Sequence, residues 1–161
     1  MLESIFRELI LDHYRKPRNK GAMEEPTVSV SMRNPLCGDE IELHLKLNEA
    51  GDTIEQVAFT GQGCSISQAS MSMMTEALTG VSLDDALVLE KKFLTLMHGD
   101  DAAKEDRALG ELLALQGVAR LPVRIKCALL GWNALDEAVQ AVKGGGAVMG
   151  ERLEFEDMTQ E

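Results

Sequence analysis

The amino-acid sequence predicts an α+β fold, in which helices pack on one side of a small three-stranded antiparallel sheet. Strand-like patterns are confined to the first part of the chain, between residues 27 and 60, and helical patterns follow them. Strands and helices therefore do not alternate, and this order favours α+β over a parallel α/β architecture. The sequence shows neither an internal repeat nor a domain boundary. We expect a single domain over residues 1–161, with a flexible tail at 143–161 that includes three consecutive glycines.

The first element is an amphipathic helix over residues 2–15, which Pro17 ends. Its apolar residues recur at helical spacing and are Leu2, Ile5, Phe6, Leu9 and Ile10. Residues 27–33 and 40–48 alternate apolar with polar side chains, which predicts two half-buried strands. After a glycine-containing turn, a third strand follows over 53–60, and its less regular pattern predicts a bulge.

Three longer helices follow the strands. Apolar residues occupy one face of the segment 66–78, which predicts a helix, and Gly80 ends it. A capping pattern opens the next helix, over 82–98. Pro122 suits the first position of a last helix, which runs to about residue 142.

The segment 99–121, between the last two of these helices, has no clear period. It begins with polar residues and continues into a short helical stretch near 105–115. We expect this segment to be an excursion on the surface. Its acidic side chains would serve recognition or cover a site, and they are Asp100, Asp101, Glu105 and Asp106. A neutral surface loop is the alternative.

The composition excludes several classes of protein. The 161 residues carry 16 Lys and Arg against 27 Asp and Glu, a net charge of -11, so we expect no basic face for nucleic acid. Charged residues interrupt every turn of the N-terminal segment, which leaves no apolar core for a signal peptide, and no later stretch approaches a membrane span. We therefore expect a cytoplasmic protein without nucleic-acid or membrane partners. Only 4% of the residues are aromatic, which predicts an aliphatic, methionine-rich core.

The candidate chemistry lies at three cysteines, Cys37, Cys64 and Cys127. An odd number of cysteines cannot all pair within one chain, so a disulfide framework is excluded. Cys37 and Asp39 lie two residues apart between two predicted strands. In an extended segment their side chains point the same way and could bind one metal ion, although the same residues also suit an ordinary turn.

Cys64 follows the glycines of residues 61–63, at the start of a predicted helix. Unpaired N–H groups and the helix dipole favour a thiolate at such a position. An inert buried cysteine is the alternative. A dinucleotide loop is disfavoured, because no further glycine continues the spacing and no parallel unit surrounds it.

Cys127 lies in the last predicted helix, about 130° from the centre of its apolar stripe, so we expect it outside the main core seam. Arg124, three residues earlier, projects on the same side and would place a cation beside a thiolate. The neighbouring Lys126 suits a solvated helix face.

These residues together suit a tetrahedral divalent-metal site of three thiolates and one carboxylate, from Asp39. A divalent ion with these four ligands would leave two net negative charges, for which Arg124 is the candidate neutralising cation. The histidines add little to such a site. His13 and His44 fit a helix face and the polar face of a strand, and His98 ends a helix.

Three ordered motifs give the chain a family resemblance: residues 11–21 (LDHYRKPRNKG), 34–39 (NPLCGD) and 61–67 (GQGCSIS). Together they resemble the IscU/NifU/SufU family of iron–sulfur cluster assembly proteins, over nearly the whole chain. The resemblance implies the IscU/NifU-like fold, a three-stranded antiparallel sheet with helices on one side. It also implies a metal site formed by Cys37, Asp39, Cys64 and Cys127.

Within that family the chain resembles the SufU branch. Lys126 stands where members that assemble clusters usually have a histidine, and the extra residues of 99–121 resemble the SufU insertion. Residues 124–128 (RIKCA) are also similar to SufU. That branch is associated with zinc and with receiving sulfur from a cysteine desulfurase.

The resemblance therefore implies a zinc-binding sulfurtransferase. It would take persulfide sulfur from a SufS-like cysteine desulfurase and pass it to downstream cluster assembly proteins. Cys37 has the freest approach and is the expected sulfur acceptor, with Arg124 as the catalytic cation beside the thiolates.

Three other functions compete with this one. A scaffold, on which iron and sulfide assemble into a cluster that is then transferred, is the main alternative. A purely structural zinc domain is disfavoured because the chain can bury a core without metal, and because such sites use mainly Cys and His. A Cys–His hydrolase is disfavoured because no histidine is placed as a base.

Overall fold

The chain forms four α-helices and a four-stranded sheet within the part that the computed structural model describes, residues 2–144 and the backbone of 151–154. The elements are, in chain order, α1 (Leu2–Arg15), β1 (Val28–Asn34), β2 (Asp39–Leu47), β3 (Ile54–Gln62), α2 (Ser65–Leu78), α3 (Leu83–Met97), two 3-10 stretches (Ala102–Glu105 and Arg107–Arg120), α4 (Pro122–Lys143) and β4 (Glu151–Glu154). The predicted α+β order of strands and helices is confirmed.

The sheet has the strand order β3-β2-β1-β4. The predicted antiparallel unit of three strands is confirmed, and β4 adds to it in parallel with β1 over Val30–Arg33. Strand β4 lies within the tail that the sequence predicts to be flexible, and the alternation rule did not reveal so short an edge strand. The rest of that tail, 145–150 and 155–161, falls outside the described residues.

One face of the sheet is apolar, as the alternation predicts. The buried side chains on this face of β1 and β2 are Val28, Val30, Met32, Ile41, Leu43, Leu45 and Leu47. On the opposite face Ser29 Oγ lies 2.8 Å from Nδ1 of His44, which confirms the polar-face position predicted for His44. The predicted bulge is also present. Lys46 pairs with Gln56 and Leu47 with Ile54, which leaves Glu55 of β3 as the extra residue.

Helices α2 and α4 pack on the sheet, and α1 and α3 pack against them. The two inner helices approach closely at Gly131, where an added Cβ would meet the side chain of Met71. Ser70 Oγ joins the same helices by donating to the carbonyl of Ala128 at 2.7 Å. No helix within the described residues is both long and apolar enough to cross a membrane.

The expectation that the segment 99–121 is a surface excursion is wrong. Its apolar side chains belong to the main core, and the buried ones are Ala103, Leu109, Leu112, Ala114, Leu115 and Val118. Four of these, at 109, 112, 115 and 118, recur every third residue, which is the period of a 3-10 helix. A test for the 3.6-residue period of an α-helix therefore misses the pattern. Gly110, with a φ of 53°, divides the stretch.

Candidate metal centre

The predicted ligands lie at one end of the sheet, on β2 with the turn before it, on α2 and on α4. Cys37 lies in the turn that joins β1 to β2, and Asp39 is the first residue of β2. Cys64 is the N-cap of α2, and Cys127 lies in the second turn of α4. Sulfur atoms of Cys37 and Cys127 and a carboxylate oxygen of Asp39 all lie within 4.8 Å of one another.

Asn34 shapes the turn that carries Cys37. Its side-chain Oδ1 accepts a hydrogen bond from the Leu36 N–H at 3.2 Å, and its carbonyl accepts one from the Cys37 N–H at 3.2 Å. Gly38 has a φ of 72°, a conformation that favours glycine, and it returns the chain to β2. Leu36 beside the thiol is 66% exposed, so the turn presents a half-buried Cys37 at the surface.

The carboxylate of Asp39 is fully buried and performs two different tasks. Its Oδ1 accepts a hydrogen bond from the backbone N–H of Cys64 at 2.9 Å, which fixes the start of α2. Its Oδ2 has no hydrogen-bond partner within the described residues. A buried carboxylate oxygen without a donor is costly unless a cation satisfies it, and here it lies beside thiols.

Gly63 leaves the space that this carboxylate occupies. A Cβ at position 63 would lie 2.4 Å from Oδ1 of Asp39 and 2.5 Å from Oγ of Ser67. Any larger residue would therefore push the carboxylate out of place.

The Cys64 thiol caps α2, since its Sγ accepts the Ser67 N–H at 3.5 Å. A hydrogen bond from Cys127 lowers the pKa of Cys64 to about 6, against the opposing effect of burial. The helix N–H groups act in the same direction. The predicted thiolate character at a helix start is therefore supported by the geometry.

Cys127 lies between the other two thiols. Its Sγ is 3.1 Å from that of Cys37, and its hydrogen bond to Cys64, together with burial, raises the pKa of Cys127. Cys127 lies outside the main hydrophobic core cluster, as expected, but it is buried, with only 1% of its surface exposed. Helix α4 packs against both the sheet and α2, so more than one stripe of its surface is buried.

Arg124 is exposed at the first turn of α4, on the side of the thiols, as its spacing from Cys127 predicts. The negative charge of Cys64 and a hydrogen bond with it raise the pKa of Arg124. The guanidinium therefore offsets part of the negative charge that the thiolates accumulate.

The donor set fits a zinc ion. Zinc binds thiolate, imidazole and carboxylate ligands in tetrahedral sites. Cys37, Asp39 and Cys127 supply three clustered donors, and Cys64, which lies outside that group but hydrogen-bonds with Cys127, would supply the fourth. The unpartnered Oδ2 of Asp39 is the observation that favours a cation over a simple turn, because the turn does not need this oxygen. Sequence reasoning missed the contributions of Asn34 and Gly63, which act through the carboxylate and the turn and bear no metal-binding group.

A small α+β domain in which a buried carboxylate lies beside cysteine thiols has the donor atoms typical of a metal-binding thiol protein. Comparison with known proteins identifies the family. The family described as the NifU-like N terminal domain matches residues 5–146. The chain belongs to this family.

Individual relatives agree with the family. The chain is 46% identical over 144 residues to the zinc-dependent sulfurtransferase SufU of Bacillus subtilis, which covers 89% of this chain and 95% of that protein. It is 42% identical to the iron–sulfur cluster assembly scaffold protein IscU of Streptococcus pyogenes, over 86% of this chain and 85% of that one. The crystal structure of FiSufU from Fervidobacterium islandicum AW-1 superposes with a TM-score of 0.72 at 34% identity, covering 82% of this chain and 94% of that chain.

Proposed function

We propose that the chain is a zinc-dependent sulfur acceptor of iron–sulfur cluster assembly, working with a SufS-like cysteine desulfurase. The single observation that carries the proposal is the unpartnered, buried Asp39 carboxylate oxygen within a cluster of thiols. The similarity to a zinc-dependent sulfurtransferase from Bacillus subtilis supports it. The family match over residues 5–146 also favours a single domain, and free thiols suit a reducing compartment such as the cytoplasm.

Cys37, Asp39, Cys64 and Cys127 would hold the zinc ion. When bound, the metal keeps its cysteine ligands deprotonated at neutral pH. Arg124, exposed beside Cys64, would offset the negative charge of this set. These assignments rest on the clustering of the donor atoms and on the exposed guanidinium.

Cys37 is the proposed sulfur acceptor, because it lies in an exposed surface turn, whereas Cys127 is buried and Cys64, although also half-buried, caps helix α2. Its thiolate attacks the outer sulfur of the persulfide on the desulfurase. A bond forms between Cys37 Sγ and that sulfur, the S–S bond of the desulfurase breaks, and the desulfurase cysteine leaves as a thiolate. The same exchange with a downstream thiol then releases the sulfur from Cys37.

The experiment is to incubate the protein with desulfurase and cysteine, trap with an alkylating agent and locate the added sulfur by mass spectrometry. We expect it on Cys37, and we expect Cys37→Ser to abolish turnover. Asp39→Ala is the matched control, because it also removes a metal ligand but leaves every thiol in place. Sulfur found first on Cys64 or Cys127, with Cys37→Ser still active, would overturn the assignment.

A scaffold for a cluster is the second candidate, favoured by the 42% identity with the IscU scaffold protein of Streptococcus pyogenes. Three thiolates and a carboxylate can also hold iron. Metal analysis of the protein isolated without added metal distinguishes the two functions. One zinc ion and no colour supports the sulfur acceptor, whereas iron with sulfide-to-iron absorption supports the scaffold.

A further inference from the structure

His13 lies on a face of α1, as expected, and it is fully buried there. Its Nδ1 lies 2.7 Å from Oγ of Ser72 in α2. Its Nε2 lies 2.7 Å from Oε1 of Glu111, in the segment 99–121. The imidazole is therefore held from both sides by groups that the thiol cluster does not involve.

A third ligand atom lies at the same place. Donor atoms of His13, Glu76 and Glu111 are all within 4.8 Å of one another, and they come from α1, α2 and the 3-10 stretch. We propose that these residues form a second divalent-metal site, with one imidazole and two carboxylates, separate from the thiol cluster.

The chemistry of this donor set matches borderline divalent ions. Imidazole and carboxylate bind zinc, cobalt and manganese well, whereas the thiol cluster selects softer ions. Metal-binding histidines usually donate their other ring N–H to a fixed oxygen, which orients the ring. Ser72 Oγ, which lies 2.7 Å from Nδ1 of His13, would accept that ring N–H when Nε2 binds an ion, and it also accepts the backbone N–H of Arg18 at 2.8 Å. Held in this way, Nε2 of His13 faces the carboxylates.

The open access to this position and the negative charge of its two carboxylates also favour an ion there. Glu76 and Glu111 are exposed, and both line an open cavity of about 280 Å³. Arg18 interacts electrostatically with both glutamates, but it donates to Asp12 at 2.6 Å, and that bond raises the pKa of Arg18 more than the charges of Glu76 and Glu111 do. Within the described residues Glu76 has no hydrogen bond or ion pair of its own. A divalent ion would neutralise the two carboxylates.

In the test, zinc-loaded protein is titrated with Co²⁺. The thiol cluster of this protein is already filled by zinc. Bound cobalt is measured by equilibrium dialysis and its ligands by absorption. We expect one cobalt per chain without the strong sulfur-to-metal bands that thiolate coordination produces. Paramagnetic broadening of the His13 ring signals in NMR spectra should accompany binding.

Variants locate the ion without touching the thiols. We expect Glu111→Gln and Glu76→Gln each to weaken cobalt binding at least about tenfold, with zinc content unchanged. Glu105→Gln is the matched control, because Glu105 is exposed in the same segment but lies outside the cluster. The proposal is overturned if no cobalt binds beyond the zinc, if sulfur-to-metal bands appear, or if all three variants bind cobalt equally.

Discussion

The backbone N–H of Cys64 donates to Oδ1 of Asp39 at 2.9 Å, so a carboxylate of the proposed metal site also anchors the first turn of α2. The other oxygen of Asp39 is left for a cation. One side chain therefore connects the position of a thiol to the charge of the site. The two tasks of the carboxylate can be separated by substitution.

Asp39→Asn retains an acceptor for the Cys64 N–H but loses the negative charge, and Asp39→Ala loses both. We expect both variants to bind zinc at least about tenfold more weakly. In the metal-free state Asp39→Asn should be the more stable of the two, by about 1 kcal/mol, because it keeps the hydrogen bond. Chelator competition measures affinity, and urea unfolding measures stability. Wild-type zinc affinity in Asp39→Asn would show that Oδ2 is not a ligand.

Gly63→Ala should impair zinc binding although Gly63 has no metal-binding group. The added Cβ would lie 2.4 Å from Oδ1 of Asp39 and displace the carboxylate. We expect a loss of stability of about 1–3 kcal/mol together with weaker zinc binding. Gly117→Ala is the control, because a Cβ at that position meets no atom within 4 Å. Equal zinc affinity in the two variants would contradict the crowding argument.

Removing zinc should lower the melting temperature of the wild type, because an ion that binds only the folded state stabilises it. A chelator should lower Tm by about 5 °C or more. Cys127→Ser should start from a lower Tm, contain less zinc and respond less to the chelator. Calorimetry with and without chelator, together with metal analysis, measures these changes. A variant with stoichiometric zinc and an undiminished response would remove Cys127 from the site.

Glu90 makes stability depend on pH. Burial, and secondarily the charge of Asp136, raises the pKa of Glu90 to about 7. The folded state therefore binds more protons than the unfolded chain between about pH 4.5 and pH 7, so stability falls as pH rises through this range. Glu90→Gln should be more stable than the wild type by about 1–2 kcal/mol at pH 8, and equally stable near pH 4.

Urea unfolding at several pH values measures this effect. Glu137→Gln, on the exposed face of α4, is the control for loss of one negative charge. A Glu90→Gln gain in stability that is the same at pH 4 and pH 8 would show that titration of Glu90 is not its cause.

The segment 99–121 should be necessary for stability. Leu112 is 1% exposed in the core, so Leu112→Ala should cost about 2–5 kcal/mol of unfolding free energy. Leu113→Ala is the matched control, because its side chain is only partly buried. Denaturant unfolding compares the two variants. Equal small losses would restore the interpretation of this segment as a surface loop.

The order of strands and helices was predictable because each follows a regular period. Helix α1 and the cap at Ser82, which accepts the Asp85 N–H at 3.0 Å, lie where the sequence places them. The proximity of Cys37, Asp39 and Cys127 was predictable from the two-residue spacing of Cys37 and Asp39 and from the family resemblance. The fold then brings together residues that are up to 90 positions apart.

What escaped prediction depends on tertiary contacts or on an unusual period. The burial of Cys127 results from the packing of α4 on two sides, which a single helical stripe does not reveal. His13 is buried by Ser72 and Glu111, which lie 59 and 98 residues away in the sequence. The core residues of 99–121 recur every third position, whereas the expected period was 3.6.

The edge strands of the sheet restrict how a partner can approach. Backbone pairing with β4 covers β1 over Val30–Arg33. On the other edge, Phe59 of β3 already accepts from the Gly21 N–H and donates to the Asn19 carbonyl. A partner can therefore not extend the sheet at these positions by adding a strand of its own. Recognition at these positions would instead rest on side chains, and the exposed turn around Leu36 offers them within reach of Cys37.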